Sequence, residues 1–314
     1  MKKRPTISIV ISVYNEESVL ELFWQEILKK VKKIKCHYEL IFVNDGSTDQ
    51  SKSILESFTQ KNPNVSILHL SRNYGHEAAM IAGIDYSKGD AVICMDADLQ
   101  HPPAVIKSMF DKFIDGFEII TMIRTDNQGS NLLNKIASKL FYRIINKISP
   151  VNFQINASDF FLVSRRVADI LKNEFRERIR FLRGFIQIIG FRATSIEYIA
   201  PSRAGGKSKY SFFKLVMFSL ATMASFSQVP LHLGIVIGVI FGIVSVILGV
   251  YSIIMKLMNE VISGYTTIVV ATTFLFGVQF FLIGIIGQYI GFIFSENKKR
   301  PIYLVDCITR FSKK

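Results

Sequence analysis

The sequence predicts an α/β fold: a mostly parallel sheet with helices on both faces, followed by interfacial helices and two transmembrane helices. Three observations carry this expectation. Short apolar runs alternate with amphipathic stretches between Thr6 and Ile123, the rhythm of a sheet built from strand–helix units. Three of those runs end in clusters of acids and amides. Two later stretches, Leu231–Met255 and Ile268–Phe294, contain no charged side chain, and each exceeds the ~20 residues that cross a bilayer.

Taken in order, strands are expected near Thr6–Val13, Tyr38–Val43, Val65–Leu70, Asp90–Met95 and Glu118–Ile123. Helices fall between them, near Ser18–Lys33, Thr48–Gln60, Glu77–Ser87 and Pro103–Asp115. Ser18 before Val19 marks the first helix start, and Pro102-Pro103 marks the fourth. The stretch Asn131–Ile148 puts Leu132, Leu133, Ile136, Leu140, Ile144 and Ile145 on one face and lysines elsewhere, which suits either the membrane interface or packing on the preceding domain. Ser211–Phe226 repeats the pattern just ahead of the first long apolar stretch, a position that favours the interface.

Composition narrows the function classes. The net charge of +13 comes without the aromatic and basic pattern of an RNA-binding surface, so anionic lipid headgroups are the expected partner and nucleic acid is not. Three widely spaced cysteines provide neither a disulfide framework nor zinc-site spacing. The apolar run Ile7–Val13 ends in Asn15-Glu16-Glu17 and reads as a core strand, not a signal peptide. The N-terminal domain is therefore expected in the cytosol, and Lys298, Lys299 and Arg300 mark the same side for the C-terminus.

In a parallel sheet the carboxyl ends of the strands share one edge, where open α/β folds bind ligands. Tyr14-Asn15-Glu16-Glu17, Asn44-Asp45-Gly46-Ser47-Thr48-Asp49 and Asp96-Ala97-Asp98 are thus expected to converge. Glu16 and Asp45 can accept hydrogen bonds from a base or ribose, and Thr48 or Asp49 can cap the next helix. Carboxylates are hard ligands, and Mg²⁺ is typically held by one or two of them plus nucleotide phosphates, so Asp96 and Asp98 point to a divalent cation, Mg²⁺ or Mn²⁺. An Asx-turn that merely ends the strand uses the same residues.

These motifs, with Arg72-Asn73-Tyr74-Gly75-His76, Met95–Pro103 and Arg178–Gly184, resemble the family-2 glycosyltransferases, specifically the branch that transfers a sugar from a nucleotide to a polyisoprenyl phosphate. The resemblance implies a GT-A type catalytic domain over 1–210, an interfacial helix over 211–230, two transmembrane helices within 231–294 and a basic cytosolic tail over 295–314. It implies single, inverting transfer from a UDP-sugar to undecaprenyl phosphate or a related carrier. Nucleotide contacts are expected from Tyr14, Asn15, Glu16, Asp45 and Asp96, and metal contacts from Asp96, Asp98 and Gln100. Asp98 and Asp159 are the expected catalytic acids. Arg124, Lys135, Ser138, Arg203, Lys207 and Lys209 are expected at the acceptor phosphate.

The sequence departs from the family's pattern at four places. Ser158 and Phe161 replace the glycine and arginine of Gly-Asp-Phe-Arg-Leu around Asp159, Ser12 stands where many relatives have proline, and Asn44 stands where many have aspartate. His76 either touches the nucleotide or caps its helix. A processive polysaccharide synthase is disfavoured, because Gln-x-x-Arg-Trp is missing and Trp24 is the only tryptophan. A non-catalytic sugar-nucleotide-binding membrane protein would not need Glu16, Asp45, Asp96 and Asp98 together. Glycines at 234, 238 and 242 and at 287 and 291 suit close helix approach, either between the two spans or between subunits of a homo-oligomer such as a tetramer.

Overall fold

The computed structural model describes residues 5–34, 36–125, 154, 157–178, 180–201, 229–258 and 264–311. The chain forms two compact units, one of Met1–Phe212 with Arg300–Lys314 and one of Phe213–Lys299. The first unit carries β1 (Thr6–Val13), α1 (Leu20–Val31), β2 (His37–Asn44), α2 (Ser51–Lys61), β3 (Val65–Leu70), α3 (His76–Tyr86) and β4 (Ala91–Asp96). A 3₁₀ turn (Pro103–Val105) then leads into α4 (Ile106–Ile114), β5 (Ile119–Arg124), β6 (Ala157–Ser164), α5 (Arg165–Asn173), α6 (Leu182–Ile188) and β7 (Ala193–Tyr198). The second unit holds α7 (Val229–Leu257) and α8 (Tyr265–Asn297), after which β8 (Val305–Arg310) belongs to the first unit again.

The eight strands among the described residues form one sheet in the order β7-β5-β6-β4-β1-β2-β3-β8. β1 pairs in parallel with β2 and β4, β2 with β3, and β5 with β7, leaving β6 and β8 reversed. The register sets Val13 beside Asn44 and Ser12 beside Asp96, so three strand ends meet at one edge. Because β6 runs the other way, its first residue, Ala157, pairs with Ile123 near the end of β5, which brings Asp159 toward that edge.

Period-two alternation in β1 separates two faces. Ile7, Ile9, Ile11 and Val13 join the cluster that includes Phe23, Trp24, Phe58 and Met109 of α1, α2 and α4. There Trp24 stacks on Phe58 at 4.4 Å. Ser8, Val10 and Ser12 face the other way, toward α3. Gly83 of α3 approaches β1 so closely that a Cβ there would lie 2.0 Å from Val10 Cγ1. This tight crossing sets the first residue of α3, His76, beside Ser12.

Two expectations change. α1 begins at Leu20 with Val19 at the cap position, so Ser18 is not the cap. The segment expected as a basic tail, 295–314, contains the end of α8 and the whole of β8. Beyond Lys298, Lys299 and Arg300, the β-branched residues of Val-Asp-Cys-Ile-Thr-Arg pair along the otherwise open edge of β3.

In the second unit, Gly234–Met255 and Val270–Asn297 are long and apolar enough to cross a membrane. Phe241 packs on Phe274 at 5.7 Å, and Gly234 faces Leu282. A Cβ built at Gly238, Gly242, Gly287 or Gly291 meets nothing within 4 Å, so among the described residues those glycines do not pack one helix on the other. Lys135, Ser138, Arg203, Lys207, Lys209 and both expected interfacial helices lie outside the described residues.

Candidate active site

The loop after β2 is organised around a buried carboxylate. Asp45 is 2% exposed, and its two oxygens accept the backbone N–H groups of Tyr74 (2.7 Å) and Gly75 (2.9 Å). Burial raises its pKa, and those hydrogen bonds with the charges of His76 and Arg180 offset only part of the rise. Gly46 takes φ +65° directly under the backbone of Arg72 and Asn73, where no side chain fits. Asn44 accepts Ser47 N–H, and its amide lies 3.1 Å from His69 Nδ1. Burial holds His69 toward the neutral form, so Nδ1 can accept from the amide, a donation aspartate could not make.

Asn15, at φ 53°, ties the β1 loop to the β2 loop. Its Oδ1 accepts Thr48 N–H at 2.8 Å, and its own N–H donates to Ser47 Oγ. The next residue, Glu16, donates its N–H to Ser51 Oγ. Gln50 takes the cap position of α2, so neither Thr48 nor Asp49 is the cap; Asp49, one residue earlier, accepts the N–H of Ser51 on Oδ1.

The end of β4 carries the paired acids. Ser12 Oγ donates to Asp96 Oδ1 at 2.7 Å, and Asp96 N–H donates to His101 Nδ1 at 2.9 Å. His101 stacks on Phe160 (5.0 Å) and is buried, which lowers its pKa against the pull of Asp96, Asp98 and Asp159. An accepting Nδ1 has no proton to share with Asp96 Oδ2, 3.7 Å away, so this contact is not an ion pair. Asp98 is only 7% exposed, and its Oδ1 accepts Gln100 N–H across Leu99, which sits at φ 63°. A leucine in this region is strained, a condition that clusters at functional sites. Gln100 Oε1 in turn accepts from Arg124 Nη2 at 2.9 Å. Gln100 thereby joins the expected metal side to the expected acceptor cation, through its backbone N–H on one side and its side-chain oxygen on the other.

A second group of charges lies across from Asp96. His76 Nδ1 is 3.0 Å from Ser12 Oγ and 3.3 Å from Asp96 Oδ1, while its Nε2 is 3.9 Å from Asp159 Oδ2. Since the Ser12 hydroxyl proton goes to Asp96, Nδ1 is the donor in its contact with Ser12. Burial opposes protonation of His76, but Asp96, Asp159 and Glu77 outweigh it and raise the pKa. Asp159 Oδ1 lies 3.3 Å from Arg183 Nε. Glu77, whose Oε2 accepts Leu182 N–H, is pushed up to about 7 by burial and by Asp159, against His76 and Arg183.

Among the sequence-predicted residues, Asp96, Asp98, Gln100, Arg124 and Asp159 are brought into one neighbourhood, with Tyr14, Asn15, Glu16 and Asp45 on the adjoining strand ends. Sequence reasoning gave no role to Ser12, Glu77, His101 or Arg183. Ser12 was legible only as a departure from proline, and Glu77 only as an acid in the first turn of a helix.

The donor set suits a hard divalent cation held by two carboxylates plus phosphate oxygens, and not an all-protein cage. No group of three or more His, Cys, Asp or Glu among the described residues has metal-binding geometry. Gln100 Oε1 accepts one hydrogen bond, from Arg124, and keeps a second lone pair, so Asp96, Asp98 and Gln100 all retain oxygen donors at this edge.

A mostly parallel sheet with an acid-lined carboxyl edge is where open α/β folds bind ligands. The chain belongs to glycosyl transferase family 2, whose family model matches residues 8–171. An uncharacterized glycosyltransferase of Synechocystis sp. is 38% identical, covering 95% of this chain and 94% of its own. One from Bacillus subtilis is 35% identical over 97% of this chain and 94% of its own. The bactoprenol glucosyl transferase of Shigella phage SfX is 35% identical over 95% of this chain and 98% of its own. Among solved structures, Staphylococcus aureus TarS 1–349 in complex with UDP-GlcNAc is similar at 17% identity and TM-score 0.48, covering 70% of this chain and 66% of that one.

Proposed function

We propose that this enzyme transfers one hexose or N-acetylhexosamine, with inversion, from a UDP-sugar to undecaprenyl phosphate or a related polyisoprenyl phosphate. The observation that carries the reading is the Gln100–Arg124 hydrogen bond, which couples the acid pair to a cation, in a chain matched almost end to end by a bactoprenol glucosyl transferase.

Asp96 and Asp98 would hold Mg²⁺ or Mn²⁺, which when bound supplies Lewis-acid stabilisation of the departing diphosphate. Ser12 and His101 fix the orientation of Asp96. Tyr14, Asn15, Glu16 and Asp45 line the nucleotide side. Arg124, with Lys135, Ser138, Arg203, Lys207 and Lys209, gathers the acceptor phosphate, whose second pKa of about 6 makes it anionic near neutrality. A strong general base is then unnecessary, and positioning supplies much of the acceleration. The new bond joins a phosphate oxygen to the anomeric carbon as the bond to the diphosphate oxygen breaks. Asp159, held between Arg183 and His76, orients the acceptor side.

We place the protein in the membrane through α7 and α8, with the catalytic unit and both chain ends in the cytosol. The return of β8 to the sheet supports an even number of crossings. The test is to offer the full chain, in nanodiscs, a panel of UDP- and GDP-sugars with undecaprenyl phosphate and to weigh the lipid product. A single sugar from one UDP-sugar is expected. Polymer, or no lipid product with any donor, would overturn the reading.

A further inference from the structure

The three residues that precede β8 each hold a different segment of the first unit. Ile302 carbonyl accepts from Arg180 Nη1 at 3.3 Å. Tyr303 Oη donates to Asp85 Oδ2 at 2.6 Å. Leu304 carbonyl accepts the N–H of Ser71 at 3.0 Å.

Two of the partners neighbour the acid edge, and the third connects to it along a helix. Ser71 opens the loop whose Tyr74 and Gly75 amides grip Asp45. Asp85 lies near the end of α3, whose first turn supplies His76 and Glu77. Arg180 bears electrostatically on both Asp45 and Glu77, and Leu182 and Arg183 just beyond it contact Glu77 and Asp159. The Asp85 carboxylate, 7% exposed, also takes Arg176 Nη1 on both oxygens at 3.0 and 2.9 Å. A nearly buried carboxylate with a guanidinium and a phenol in fixed geometry is costly to assemble and strongly orienting once assembled. The tail of the chain thus closes a clasp over three segments that share no other common partner among the hydrogen bonds described above.

We propose that Tyr303, Asp85 and Arg176 form a positioning clasp that holds the Ser71–Gly75 loop and Arg180 in the donor-binding arrangement, so that nucleotide affinity depends on the C-terminal segment. None of the three touches substrate. Each acts through the Asp45 loop or Arg180. The donor part of this inference rests on the UDP-sugar reading above.

The experiment compares full-length wild type with Tyr303→Phe, which keeps the ring and removes only the hydroxyl, and with Asp85→Asn. Two readouts are taken: UDP affinity by calorimetry, and amide hydrogen exchange of the peptide covering residues 71–77. The clasp predicts a rise in UDP Kd of about three- to tenfold, within the range by which residues away from a ligand modulate its binding. It also predicts faster exchange at 71–77 with β1 and β2 unchanged, and a double variant no worse than the more affected single one. Unchanged exchange at 71–77 overturns the clasp, and changed exchange with unchanged UDP affinity overturns its role in donor positioning. If wild type binds no UDP, the UDP-sugar reading falls, and exchange alone decides the clasp. A uniform loss of melting temperature with proportionate exchange everywhere would assign Tyr303 a structural role and also overturn the proposal.

Discussion

Gly46→Ala tests the construction of the nucleotide side most directly. At φ +65° an added Cβ would sit 2.5 Å from the Arg72 carbonyl carbon, 2.6 Å from Asn73 N and 2.9 Å from Arg72 Cα, all of them backbone atoms. Comfortable carbon contacts are about 3.5–4.0 Å, so the loop would have to retreat by about 1 Å. Left-handed backbone costs an alanine about 1–2 kcal/mol, and overpacking costs about 1–3 kcal/mol. With partial relaxation, we expect a loss of about 2–4 kcal/mol. For a catalytic unit of this size that corresponds to a fall of about 5–15 °C in melting temperature. The retreat also draws the Tyr74 and Gly75 amides away from Asp45, so UDP Kd is expected to rise about tenfold or more. Thermal unfolding in detergent and UDP calorimetry measure the two effects. Gly46→Asn separates the causes: asparagine tolerates positive φ, yet its Cβ meets the same backbone, so it is expected to be nearly as damaging as alanine. A shift below about 2 °C with unchanged UDP affinity would refute the packing argument.

Asp98→Asn keeps an acceptor for Gln100 N–H but removes one charge from the acid pair; transfer is expected to fall by about 100-fold or more with little change in melting temperature. Activity insensitive to both this change and EDTA would sink the metal mechanism. Glu77, pushed up to about 7 in the folded protein, contributes stability that is full below its ordinary range and is lost as pH rises through 7, because the folded state resists its ionisation. Glu77→Gln should therefore melt higher than wild type at pH 8, with the gap closing toward pH 5; a gap independent of pH would contradict the assignment. Gly83→Ala drives a Cβ into Val10 and should cost about 1–3 kcal/mol, with Val10→Ala restoring part of the loss. Additive effects of those two changes would show that α3 does not press on β1 there.

The catalytic site has an internal balance that single residues do not reveal. His76 stands between Asp96 and Asp159, and those two acids favour its protonated form against the cost of burial. Arg183 lies on the far side of Asp159.

Local chemistry made β1 and β3 readable to the residue, because alternating β-branched runs bounded by turn residues admit one period and one end. The acid pair was readable for the same reason, since a parallel sheet sends every strand's carboxyl end to one edge. The two long apolar helices followed from length and lack of charge alone. Tertiary structure decided what sequence spacing cannot encode. Ser12 meets His76 only because Gly83 lets α3 press on β1, and Asp159 reaches His76 only because β6 runs antiparallel beside β4. Tyr303 finds Asp85 only because β8 closes the β3 edge, a pairing between segments separated by more than two hundred residues. Such contacts depend on which strand edge is left open once the local elements have formed. That is a property of the assembled sheet, and no window of the chain carries it.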